Sequence, residues 1–159
     1  MTATLRFATL AFAVLAAGLA TAQEQDSPAE QAHEARERLM HLQAYHLGIL
    51  GPMAQGQTEY DAALAGEAAQ NLASLAELAS AGYFWPEGSS SADLEDSRAL
   101  PAIWENMDDF EAKPAALQEA TTALASAAGT DLASLQAAIG PVGQACGACH
   151  EDYREPEEE

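Results

Sequence analysis

Apolar residues recur along this chain at helical spacing, in stretches separated by turn-forming residues. The first stretch opens on Ser27-Pro28-Ala29-Glu30, which combines a capping serine, a proline at the first helical position and a glutamate that closes a capping box. Leu39, Met40, Leu42, Leu47 and Ile49 then mark a broad apolar face, and the pattern predicts a helix to about Leu50, where Gly51-Pro52 interrupts it. A second helix is predicted from a cap at Thr58, with Glu59 and Asp61 in the first turn, through Tyr60, Leu64, Ala68, Leu72, Leu75 and Leu78 to Gly82. Residues 83–100 hold Trp85-Pro86, Gly88, four serines and several acids, and read as a long connection whose aromatic side chains pack back onto the helices.

A lead-in over 101–110 precedes a helix over 114–128, with Leu117, Ala120, Leu124 and Ala127 on one side and Gly129 as its stop. Pro114 predicts a kink there, or two consecutive helices. The last helix starts at Thr130-Asp131 and runs to about Tyr153 through Leu132, Leu135, Ile139 and Val142, with Gly140-Pro141 as a second point of disturbance. Nothing alternates with the period of a strand. The expected fold is all-α, an antiparallel four-helix bundle, with helices of roughly 20 residues and so about 30 Å long.

The length of 159 residues suits one domain. Before the first helix, Arg6 is followed by the apolar run 7–19 and by Ala20-Thr21-Ala22, the pattern of a cleaved export signal over 1–22 with a mature start at Gln23. The run is shorter than the roughly 20 residues of a spanning helix. The expected organisation is therefore a leader over 1–22, a domain over 23–154 and an acidic, disordered tail over 155–159. Six cationic residues face 25 acidic ones, a formal net charge of −19. Loss of the leader removes Arg6 and no carboxylate. This balance argues against nucleic acid and anionic membranes as partners and favours proteins with basic docking surfaces.

The chemistry is concentrated in Cys146-Gly147-Ala148-Cys149-His150, the CxxCH pattern of c-type haem attachment. Two thiols at this spacing can each join one vinyl group of a haem, and the adjacent imidazole can bind its iron. A structural zinc site normally takes four protein ligands, and the chain has no second CxxC or HxxxH pair. A thioredoxin-like dithiol would accompany a βαβ pattern, which is missing here. A disulfide between Cys146 and Cys149 would close a very small loop and add little stability. Arg154 lies one turn beyond His150 on the same face, where it can tune the histidine or pair with Glu151 and the acidic tail.

With these residues in view, the chain resembles the cytochrome c′ family, the four-helix class of c-type cytochromes. The similarity lies in RxxxM over 36–40, GPMAQGQTEYDAA over 51–63, RALPAIW over 98–104 with Phe110 beyond it, and CGACHEDYR over 146–154. It implies one covalent haem c per chain, bound by Cys146 and Cys149, with His150 as proximal ligand and Arg154 beside it. It also implies Arg36 near a haem propionate, Met40 over the distal face, and a homodimer built through the first two helices. Pro114 and Pro141 depart from the family's continuous helices.

The resemblance leaves the distal side to Met40. Typical members have an apolar distal residue and five-coordinate iron that admits nitric oxide or carbon monoxide, whereas low-spin relatives use a helix-one methionine as sixth ligand. A methionine can equally be a core filler. The GQTEYDAA and PAIW stretches look like the five-coordinate members, so the expectation is a periplasmic high-spin haem protein that binds nitric oxide or carbon monoxide and scavenges the former. The alternatives are a one-electron carrier with Met40 ligated and a haem-free helical bundle with a redox dithiol. His33, His41 and His46 read as surface or satisfied histidines, and Tyr60, Trp85, Trp104 and Phe110 as packing residues. No Ser/His/Asp or paired-carboxylate arrangement marks an enzyme.

Overall fold

The computed structural model describes residues 26–156. The expected leader, the start at Gln23 and the last three tail positions lie outside the described residues. Helix α1 spans Pro28–Ala54 and begins as its sequence dictates, with Ser27 Oγ accepting from Glu30 N at 3.2 Å and the Glu30 carboxylate accepting from Ser27 N at 2.6 Å. It does not stop at Gly51-Pro52. Pro52 removes only the bond to the carbonyl of Gly48, an exposed residue that water can reach, and the last turn is closed by Gln55 N donating to Gly51 O at 3.0 Å.

Helix α2 spans Ala62–Ala79, and its cap is Asp61, not Thr58. The Asp61 carboxylate accepts from Ala63 N and Leu64 N at 2.9 and 3.0 Å. The later start has a tertiary cause: Tyr60 lies in the turn, where its hydroxyl donates to Ala128 O at 2.8 Å. A 3-10 turn at Gly82–Phe84 begins the long connection. The short α3, Ala102–Glu105, is followed at once by α4, Met107–Ala127. There are thus two consecutive helices, as expected, but they part at Asn106, with φ −133° and ψ 48°, and α4 runs on through Pro114. Helix α5 spans Leu132–Tyr153 from the Asp131 cap, which accepts from Ser134 N at 2.7 Å, and it contains Pro141.

Helices α1, α2, α4 and α5 form the bundle, each packed on its neighbours in chain order and α5 closing back on α1. The end of α2, the start of α4 and the end of α5 meet the first half of α1 around one cavity, so successive helices are antiparallel. Leu50, Leu72, Leu124, Leu135 and Val142 fill the main core and are essentially inaccessible to solvent. The start of α2 and the end of α4 nearly touch there. A Cβ added at Gly129 would lie 3.2 Å from Ala62 O and 3.3 Å from the Cα of Gly66.

The connection over 80–101 is a strap across the other end. Arg36 on α1 donates to Phe84 O, Ser89 Oγ and Ser89 O at 2.6, 2.9 and 2.8 Å. The strap's far side is tied to the end of α5, with Leu100 N donating to Tyr153 O at 3.0 Å and Glu155 N to Arg98 O at 2.9 Å. Arg98 also donates to Glu155 O at 2.7 Å. Glu155, assigned to the tail from sequence, is therefore held against the strap.

Candidate functional site

A cavity of about 580 Å³ lies between α1 and α5, roofed by the strap and floored by the core. All six residues singled out from the sequence line it: Arg36 and Met40 from α1, and Cys146, Cys149, His150 and Arg154 from α5. The two groups stand far apart in the chain, and the antiparallel packing of the first and last helices brings them together. On α1, residues 36, 40, 43, 44 and 47 all reach the cavity, the spacing of one helical face. His33 and His41 also reach it, while His46 does not. Leu47, Ile103, Phe110 and Leu117 supply apolar wall.

Cys146 and Cys149 are free thiols, half-buried, on consecutive turns of α5. Burial pushes the Cys146 thiol up, and pushes that of Cys149 up to about 11 despite the nearby Lys113. A redox dithiol or a zinc ligand works as thiolate, so this environment opposes both. Among the described residues no group of three or more His, Cys, Asp or Glu side chains is arranged to hold a metal ion. His150 is held below the ordinary imidazole range, first by burial and then by Arg154 and Arg98. That keeps its ring neutral, the form in which imidazole ligates a metal. Arg154 Nη1 lies 3.3 Å from His150 Nδ1.

Arg36 is 5% exposed, and its three hydrogen bonds go to neutral oxygens. Its guanidinium stacks over Trp85 at 4.7 Å, and burial lowers it to about 10, so it remains charged at neutral pH. A buried cation with no bonded carboxylate is an open invitation to an anionic group. The amide nitrogen of Gln43 is buried and has no hydrogen-bond partner at all. A largely apolar slot with a neutral imidazole, two thiols, a cation bonded only to neutral oxygens and an orphaned donor fits a covalently held haem.

Sequence reasoning missed part of the lining. Lys113 on α4 donates to Asp152 at 2.7 Å and lies 3.7 Å from Asp109, whose carboxylate accepts from the Tyr153 hydroxyl at 2.7 Å. This clasp joins α4 to α5 beside Cys149. Of the five cationic residues in the described chain, Arg36, Arg98, Lys113 and Arg154 line the cavity and only Arg38 does not. The scarcity of cations was the available signal: in so acidic a chain each one marks a place. Conversely, Thr58, Glu59, Tyr60 and Asp61 line a separate hollow of about 640 Å³ at the α1–α2 turn.

Known proteins agree with this geometry. Residues 31–154 match the family described as Cytochrome C′. Cytochrome c-554 of Cereibacter sphaeroides is 52% identical over 126 residues, covering 79% of this chain and 94% of the relative. A solved cytochrome c′ from Rhodobacter sphaeroides shares 38% identity with a TM-score of 0.77, covering 81% of this chain and 98% of that one. The nitric oxide complex of a single-site mutant of cytochrome c prime from Alcaligenes xylosoxidans shares 32% identity with a TM-score of 0.72, over 83% and 100% of the two chains. The chain belongs to the cytochrome c′ family, and its cofactor is covalently attached haem c.

Proposed function

We propose that this chain is a periplasmic one-electron carrier, its haem held by thioethers from Cys146 and Cys149, with His150 and Met40 as the two axial ligands. The observation that carries this reading is Met40 itself, a soft thioether on the cavity-facing side of α1, across from His150 on α5. The two stretches that resembled five-coordinate members do not bear on that side. GQTEYDAA belongs to the α1–α2 turn and its separate hollow, and in PAIW Ile103 packs with Tyr153 and Cys149, toward α5.

When bound, haem supplies a one-electron couple, and a thioether ligand raises its reduction potential. Arg36, buried and charged, would face a propionate and hold the strap at the same time. Arg154 and burial keep His150 neutral for ligation. Arg36, whose own bonds go to neutral oxygens, adds positive charge that favours the reduced state of the group beside it, whereas the charge of Lys113 is met by Asp109 and Asp152. The acidic exterior suits a redox partner with a basic docking surface. Export through a leader over 1–22, with a mature start at Gln23, accords with thioether chemistry outside the cytosol. A homodimer through α1 and α2 follows from the family analogy.

A second reading keeps the iron five-coordinate, with nitric oxide or carbon monoxide bound on the Met40 side and nitric oxide scavenging as the role. It is favoured by the solved nitric oxide complexes of similar cytochromes c prime. The absorption spectrum of the ferrous protein, with and without these gases, separates the two. We expect a low-spin spectrum unchanged by gas and converted to high spin by Met40→Ala. A high-spin spectrum that shifts with gas in the unaltered protein would establish the second reading instead, and absence of a Soret band would remove both.

A further inference from the structure

Two buried side-chain atoms of the described chain have no hydrogen-bond partner: His46 Nδ1 and Gln43 Nε2. His46 does not line the cavity, whereas Gln43 does, and Gln43 is only 6% exposed. Leaving an amide donor buried and unmet costs about 1–3 kcal/mol, which the glutamine-to-leucine change would relieve. An unmet amide in a cavity wall therefore calls for an acceptor in that cavity.

The position of Gln43 narrows the acceptor. It lies three residues after Met40 and seven after Arg36, about 4.5 and 10.5 Å along the helix axis. Arg36 ends at the strap, among Phe84 and Ser89, where polar groups collect. Leu47, one turn beyond Gln43, packs against the main apolar core. Gln43 thus sits on the inner side of Met40, away from the rim cations that suit a carboxylate, in a stretch of wall flanked by Met40 and Leu47.

We propose that Gln43 is the hydrogen-bond donor of the Met40 side, its amide N–H meeting the outer atom of a small diatomic ligand whenever Met40 does not occupy that position. It would favour ligands whose outer atom carries negative charge and slow their escape. Distal hydrogen-bond donors are one of the levers by which a protein selects among such ligands. The inference needs haem in the cavity, but it holds whether or not Met40 ligates in the resting protein.

The test uses the full haem-loaded protein carrying Met40→Ala, which opens the position under either reading. The readouts are the infrared C–O stretch and the dissociation rate of the ferrous carbon monoxide complex. A donor to bound carbon monoxide lowers the stretch. Adding Gln43→Leu is expected to raise it and to speed dissociation about fivefold, the worth of one neutral hydrogen bond. His41→Leu, at an exposed residue on the same cavity, is the control and should move neither. Unchanged values on Gln43→Leu with a native far-ultraviolet spectrum would overturn the proposal, as would a shift produced by His41→Leu instead. Failure of the Met40→Ala protein to bind carbon monoxide at all would overturn it too, because the position would then be closed by another group.

Discussion

Replacing Arg36 by methionine removes a guanidinium that joins α1 to the strap while keeping a flexible apolar stem against Trp85. The loss can be worked out bond by bond. Ser89 Oγ still donates to Pro86 O at 2.8 Å, and Ser89 O still accepts from Ser97 Oγ at 2.9 Å, so neither is orphaned. The carbonyl of Phe84 loses the bond it accepts from Arg36, at about 1–3 kcal/mol, and the cation–π contact with Trp85 is worth about another 1 kcal/mol. Because all three acceptors are neutral, the change strands no buried anion of the polypeptide, and only a haem propionate facing Arg36 would be left without its partner. Relief of the buried cation's own desolvation offsets part of the loss. The expected cost is about 2 kcal/mol from the polypeptide's own groups, with the propionate contact adding to it in the haem-loaded protein, read as a lower urea midpoint with unchanged slope. Limited proteolysis should become faster within 80–101 and not within the helices. A midpoint shift equivalent to under about 0.5 kcal/mol with an unaltered cleavage pattern would refute the strap role, being no more than an ordinary surface change.

Two further outcomes follow from the α5 side of the cavity. The Tyr153 phenol is pushed up to about 12, first by its hydrogen bond to Asp109 and then by burial, against an ordinary value of 10. Its contribution to stability is therefore complete below about pH 10 and lost as pH rises to about 12; Tyr60 is raised as well, by burial and then by Asp131 and Asp61, so alkaline absorbance titration of Tyr153→Phe against the parent should show the loss of one late tyrosine, and a normal titration of Tyr153 would contradict the clasp. The double change Cys146→Ser and Cys149→Ser should abolish covalent haem, so that acid-acetone extracts all haem and the intact mass equals the bare polypeptide; retention of haem mass would exclude these thiols as the attachment points.

The parts of the fold that local chemistry governs were legible. Ser27 and Asp131 cap the helices that their side chains predict, and the apolar period marks α5 from end to end. The misjudged boundaries are those where a distant partner decides. Thr58 is an acceptable cap, but Tyr60 must stay outside the helix to reach Ala128, so Asp61 takes over. Pro52 and Pro141 look like helix breakers, yet the carbonyls they release belong to Gly48 and Ala137, both exposed, and packing of the surrounding turns outweighs one lost bond. At the site, CxxCH and RxxxM carry their chemistry in sequence. Gln43, Lys113 and Tyr153 do not, because nothing local distinguishes a glutamine that faces a cavity from one that faces water.

The gathering of cations at one end gives the molecule an electrical shape. Among the cavity-lining residues Glu37 is the one acid, and the other described carboxylates of this strongly acidic chain do not line it, while four of its five described cations do. The carboxylates crowd the same end from outside, Asp109 and Asp152 on Lys113 among them, so the cavity is a positive interior in a negative shell. A basic partner is drawn by the shell and an anionic group is held by the interior, so encounter and retention are governed by charges of opposite sign. A substitution at Arg98, Lys113 or Arg154 would therefore change mainly what the molecule holds, whereas one among the outer acids would change how it arrives, and ionic strength would separate the two effects.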